Sequence, residues 1–171
     1  MNREERVKLY ALRKEKAKEL WHAGIPDLPL ANEELILLEE KFRTWSDSFQ
    51  LNLLEKGFLY VLEKYEILIT STENSQCEHN GQIRTGLDYQ NCCGISYEYT
   101  NDLSCRTAIE IILRNTAGNK IEKYKERIDS LDKRFKAIPK NDKWIVNQAS
   151  IEKYEKNGYW WFYGLPLTVK E

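Results

Sequence analysis

The sequence predicts a mainly α fold: one domain of about five to six helices, a small β insertion over residues ~80–100 and a short aromatic strand near the C-terminus. Three observations carry this. Apolar residues recur at three- and four-residue steps through most of the chain, as one buried face of a helix requires. Glycine and strand-like alternation gather instead between Cys77 and Cys105. Five consecutive aromatic residues, Tyr159 to Tyr163, have the composition of a strand.

The first helix is expected over Arg3 to His22, with Val7, Tyr10, Ala11, Lys14, Ala17 and Trp21 on one face and Gly24 as its stop. Pro26, Asp27 and Pro29 then make a loop, because each proline fixes its own φ and turns the preceding residue away from helix. Asn32 caps a second helix whose buried face is Leu35, Leu38, Phe42 and Trp45. Ser46 to Ser48 cap a third, from Phe49 to Tyr65, with Gly57 as an internal weakness. Ile67 to Thr70 either finish that helix or begin a strand, and Ser71 to Asn80 read as a surface loop.

Within the insertion, Gln82 to Thr85 and Ile95 to Tyr99 are the expected strands, the second from the alternation of Ile95, Tyr97 and Tyr99. Thr100 to Asp102 offer caps for a helix over Leu103 to Arg114. Gly118 breaks it. A further helix runs to Ala137 with Ile121, Tyr124, Ile128, Leu131, Phe135 and Ile138 as a narrow stripe, and Pro139 ends it. That stripe suits an antiparallel pair within the domain or, as the alternative, a homodimer seam. A short helix near Ser150 to Lys156 closes at Asn157–Gly158.

Composition narrows the function classes. With 42% hydrophobic and 31% charged residues the chain can build a core and is not of the disordered type. A net charge of -1 leaves no global basic field for nucleic acid or an anionic membrane. The apolar runs are far short of the ~18 residues a membrane span needs, so no membrane partner is expected. The charged N-terminus lacks the apolar core of a secretory signal, and the expected location is cytoplasmic.

All four cysteines fall between Cys77 and Cys105, the segment read as a Cys/His-containing β insertion of the 1–171 domain. Cys77, His79, Cys93 (or Cys92) and Cys105 have the right number and type of groups for zinc. The Cys-x-His spacing is tighter than the usual knuckle and neighbouring cysteines seldom share an ion, so the expectation is no cofactor, with zinc as the lesser alternative. A Cys92 or Cys93 nucleophile with His79 as base is the corresponding enzymatic reading.

Two further surfaces are candidates for binding. One is aromatic: Trp144, Tyr159, Trp160, Trp161 and Tyr163, since tyrosine and tryptophan dominate interface hot spots. In a strand Trp160 and Trp161 face opposite sides, so one is expected in the core and its neighbour outside. The other is acidic: Glu33, Glu34, Glu39 and Glu40 on the second helix. A basic stripe of Arg13, Lys14, Lys123, Arg127, Lys133, Arg134 and Lys136 offers phosphate contacts, or else a solvated surface paired with acids of the same chain. The chain lacks a phosphate loop, dinucleotide fingerprint or catalytic triad. The expected function is therefore a non-enzymatic, protein-binding module, as a bacterial or phage immunity protein, antitoxin or adaptor-type inhibitor would be. A nucleic-acid-binding protein and a thiol- or zinc-dependent enzyme are the alternatives.

Overall fold

Asn2 opens α1 (Arg3–Ala23) with a capping box: its side chain accepts from Glu5 N at 2.9 Å while the Glu5 carboxylate accepts from Asn2 N at 2.8 Å. The computed structural model describes residues 2–170. They form a mainly helical fold with one small two-stranded antiparallel sheet. Two compact units are distinguished: Met1–Leu62 with Ala108–Lys125, and Glu63–Thr107 with Glu126–Glu171.

In the first unit α1 packs on α3 (Asp47–Lys56) and touches α2 (Asn32–Phe42). Its core is aromatic. Trp21 stacks on Phe42 at 6.2 Å, Phe42 meets the edge of Trp45, and Trp21 Nε1 donates to Gln50 Oε1 at 3.1 Å. Only the second half of α1 reaches this core. Ala17 and Trp21 are buried, but Val7 and Tyr10, expected on the buried face, are 61% and 63% exposed, because α3 is too short to cover the helix's first turns. Asn32 is the first residue of α2 rather than its cap; Ala31 precedes it, and its N–H donates to the Glu34 carboxylate at 2.7 Å.

The expected third helix is two. Gly57 takes φ +88°, ending α3, and α4 (Phe58–Asn74) starts at the next residue. The Asp27 carboxylate caps the new helix, accepting from Phe58 N at 2.6 Å and Leu59 N at 2.7 Å. A Cβ on Gly57 would run into that carboxylate. Tyr124 Oη and Lys123 Nζ donate to Asp27 O at 3.1 and 3.0 Å, so the proline loop holds α8 (Gly118–Ala137) as well.

In the second unit α4 continues as helix through Ile67–Thr70 and on to Asn74, where a loop was expected. Tyr65 packs on Phe135 of α8 at 5.8 Å, and Arg127 and Arg134 of α8 pair with Glu66 and Glu73 of α4. The apolar stripe of α8 is buried along its length from Ile121 to Ile138, so the chain itself covers the seam. After Ser75 the chain forms β1 (Gln76–His79) and β2 (Gln82–Thr85), in register with Cys77 opposite Arg84 and His79 opposite Gln82. Asn80 and Gly81, at φ +53° and +75°, make the two-residue turn. Two short helices follow, α5 (Gly86–Gln90) and α6 (Ser96–Asp102), and then α7 (Ser104–Asn115). Ile95–Tyr99 is thus not a strand. Tyr99 and Leu103 are buried one helical turn apart while Tyr97 is exposed, a helical pattern that also alternates over three positions.

The C-terminal aromatic run is likewise not a strand over its length. After α9 (Ile151–Lys156), Trp160–Phe162 form a 3₁₀ turn, and only Tyr163 is extended, bridging to Trp144. A strand would leave one aromatic face without cover; three residues per turn let Trp161 and Phe162 go inward together. Extended segments then pair 140–144 with 163–166, and Ile95 with Lys170.

Candidate functional site

Four of the five predicted aromatic binding residues meet in one cleft of the second unit. Trp144, Tyr159, Trp160 and Tyr163 line a cavity of about 650 Å³ together with Phe135, Lys136 and Lys140. The 3₁₀ turn directs Trp160 into it and Trp161 away from it. Trp161 is fully buried, donating from Nε1 to Thr107 Oγ1 at 3.1 Å, and is a core residue. Trp144 and Tyr163 sit edge to face at 5.3 Å, and the Tyr163 hydroxyl donates to the Asp142 carboxylate. Trp160 rests on Phe135 at 5.8 Å.

The cleft is cationic as well as aromatic. Lys136 Nζ stands 4.4 Å over the Trp160 ring and Lys140 Nζ 4.0 Å over Phe135. Lys140 donates to Phe135 O, and burial pulls its amine down to about 8. One carboxylate, Glu155, is also part of the lining. Such a site suits an apolar or aromatic group with a nearby negative charge.

The acidic residues of α2 lie in the first unit and do not converge on one surface role. Glu33 and Glu40 are exposed and Glu39 is half-buried. Glu34 is engaged within the chain, accepting from Ala31 N, from Ala117 N at 2.8 Å and from Lys120 Nζ at 2.5 Å. Burial alone would raise its carboxyl; those donors outweigh it and hold the group at about 2. Of the basic stripe, Arg127 and Arg134 are paired with acids of α4 and Lys123 with the Asp27 carbonyl, while Arg13, Lys14, Lys133 and Lys136 are exposed.

A second constellation sits on the hairpin. His79 Nε2 is 3.0 Å from Cys93 Sγ and 3.3 Å from Cys92 Sγ, and the two sulfurs are 3.7 Å apart. Cys77 completes the group, the ligand atoms all lying within 4.8 Å of one another. Cys77 and His79 project together because residues i and i+2 of a strand share a face. Cys92 and Cys93 are turned inward by a tight turn in which Tyr89 O accepts from both Cys92 N and Gly94 N, at 3.0 and 2.8 Å. Gly94 is required there: a Cβ would stand 2.7 Å from the Tyr89 ring. Cys105, also a sequence candidate, lies elsewhere, buried in α7 with its thiol donating to Asp102 O at 2.8 Å. Sequence reasoning took Cys92 and Cys93 as alternatives where the fold uses both, and it missed Arg84, whose Nη1 donates to Cys92 Sγ at 3.2 Å. The Asn80–Gly81 pair, a strong signal for a two-residue hairpin, would have put Arg84 opposite Cys77. Compared with protein-family models, with curated proteins and with solved structures, the chain finds no match in any of the three.

Proposed function

We propose that the protein is a non-enzymatic binding module that captures a partner protein in the aromatic cleft of its second unit, seating an apolar side chain of an acidic segment. The observation that carries this reading is the convergence of Trp144, Tyr159, Trp160 and Tyr163 with Lys136 and Lys140 on one concave surface. Half-exposed aromatic rings give a large apolar contact at little cost in side-chain entropy, and tryptophan and tyrosine are the residues whose loss most weakens interfaces. The two ammonium groups favour a carboxylate-bearing partner and disfavour a basic one.

The test is a comparison of captures. Tagged wild type and Trp160→Ala, matched for melting temperature, are incubated with lysate of the source cell, and the retained proteins are compared. A partner held by wild type and lost by Trp160→Ala, whose contacting segment is acidic by crosslinking from position 163, is the expected result. Equal retention by both proteins, or a contact mapped to the first unit, sets the cleft aside.

A further inference from the structure

We infer that Cys77, His79, Cys92 and Cys93 form a tetrahedral Cys₃His zinc site that fastens the β1–β2 hairpin to the turn after α5. This inference is independent of the aromatic cleft. Zinc–sulfur bonds of ~2.3 Å and zinc–nitrogen bonds of ~2.0–2.1 Å at the tetrahedral angle set sulfurs ~3.8 Å apart and sulfur from nitrogen ~3.6 Å apart. The Cys92–Cys93 separation of 3.7 Å matches the first distance, and the His79 separations of 3.3 and 3.0 Å fall short of the second by roughly half an ångström. Three of the four vertices of such a tetrahedron are thus close to their places, and the Cys77 sulfur, within 4.8 Å of each of the others, has at most about an ångström to close to reach the fourth.

Charge points the same way. Three thiolates and a divalent ion leave one excess negative charge, and the Arg84 guanidinium on Cys92 Sγ is placed to offset it. Thiolate and imidazole ligands select zinc over the hard cations that prefer oxygen.

The hairpin also needs such a fastening. Between Gln76 and Cys93 only Cys77 and Tyr89 are buried; Ile83 and Leu87, its large aliphatic side chains, are 68% and 73% exposed. A two-stranded hairpin is marginal in water without an apolar face to bury. Bonds from one ion to β1 and to the turn at Cys92–Cys93 supply what packing does not. A catalytic Cys93–His79 pair uses the same two atoms but has no role for Cys77 and Cys92, whereas the tetrahedral site uses all four.

Full-length protein purified without chelator is expected to hold ~1 equivalent of zinc by elemental analysis. Cobalt(II) added to metal-stripped protein should give the intense sulfur-to-metal charge-transfer absorption and the d–d bands of a tetrahedral thiolate site. In competition with a chromogenic chelator, Cys77→Ser, Cys92→Ser and Cys93→Ser should each lose more than ~100-fold in zinc affinity, and Arg84→Gln about 10-fold. Cys105→Ser should retain wild-type affinity. The wild-type cobalt spectrum and the Arg84→Gln titration decide the matter even where a ligand variant fails to fold. Less than about a tenth of an equivalent of zinc together with no uptake of added zinc overturns the inference. So does a cobalt spectrum without thiolate charge transfer, or loss of metal in Cys105→Ser.

Discussion

The Arg106 guanidinium grips the Asp132 carboxylate with two bonds, Nε to Oδ1 at 2.8 Å and Nη2 to Oδ2 at 2.9 Å, from a side chain that is only 4% exposed. Tyr65 Oη donates to the same carboxylate at 3.0 Å, and the guanidinium plane lies 4.4 Å over the Trp161 ring. Removing the acid strands a buried cation. Asp132→Ala is expected to cost about 3–5 kcal/mol in denaturant melts, whereas Arg106→Met with Asp132→Leu together should cost far less. Equal losses in the single and double variants would mean that packing rather than charge holds this centre.

Gly57 carries the junction between α3 and α4. Alanine there meets both the positive φ and the Asp27 carboxylate, so Gly57→Ala should lose ~2–3 kcal/mol. Asp27→Ala, which removes the cap and nothing from the turn, should lose ~1–2 kcal/mol. Thermal or urea melts of the two variants, compared with each other, check the order.

Trp160 and Trp161 are neighbours with opposite expected phenotypes. Trp161→Ala opens a cavity in the core and should cost about 3–5 kcal/mol. Trp160→Ala should cost ~1 kcal/mol of stability and ~2 kcal/mol or more of partner affinity. Melting curves of the two variants give the first half of this without any partner in hand.

Lys140 sets a pH dependence. Its amine titrates at about 8 in the folded protein against 10.5 as a free side chain, so between these values the unfolded chain binds the extra proton. Stability from this residue therefore rises with pH across that window, and below about 8 its charge is a burden on the fold. Wild type should gain on Lys140→Met as pH rises from about 8 to about 10.5, read from urea midpoints at each pH. Binding of an acidic partner runs the other way: it should weaken through pH ~8 in wild type and stay level in Lys140→Met.

The helices were legible because a 3.6-residue period needs only a covered face to show itself, and α8 with its stripe from Ile121 to Ile138 is the clearest instance. Two strands were misread for one physical reason. Over three to five residues, alternation and β-forming aromatics do not separate a strand from a short helix or 3₁₀ turn; only the burial of Tyr99 with Leu103, and of Trp161 with Phe162, does. The exposed start of α1 was not legible either, since its period is intact and only the length of α3 leaves Val7 and Tyr10 uncovered. The aromatic cleft was half legible. The residues were visible in the sequence, but their convergence depends on Lys140 and Trp144 returning antiparallel to the turn at 160–163. The cysteine cluster turned on the register of a hairpin whose Asn-Gly turn passed unread, so a Cys-x-His spacing natural to a strand looked too tight.

That Asn80–Gly81 turn also makes the protein keep time. An exposed asparagine followed by glycine cyclises to a succinimide with loss of ammonia, because no side chain shields its side-chain carbonyl from the next backbone nitrogen, and water then opens the ring to aspartate or isoaspartate. The isoaspartyl form inserts an extra backbone carbon between β1 and β2, next to His79. Chemical ageing at Asn80 thus acts beside the cysteine–histidine cluster, and a molecule aged there would differ from a new one in the spacing of its hairpin.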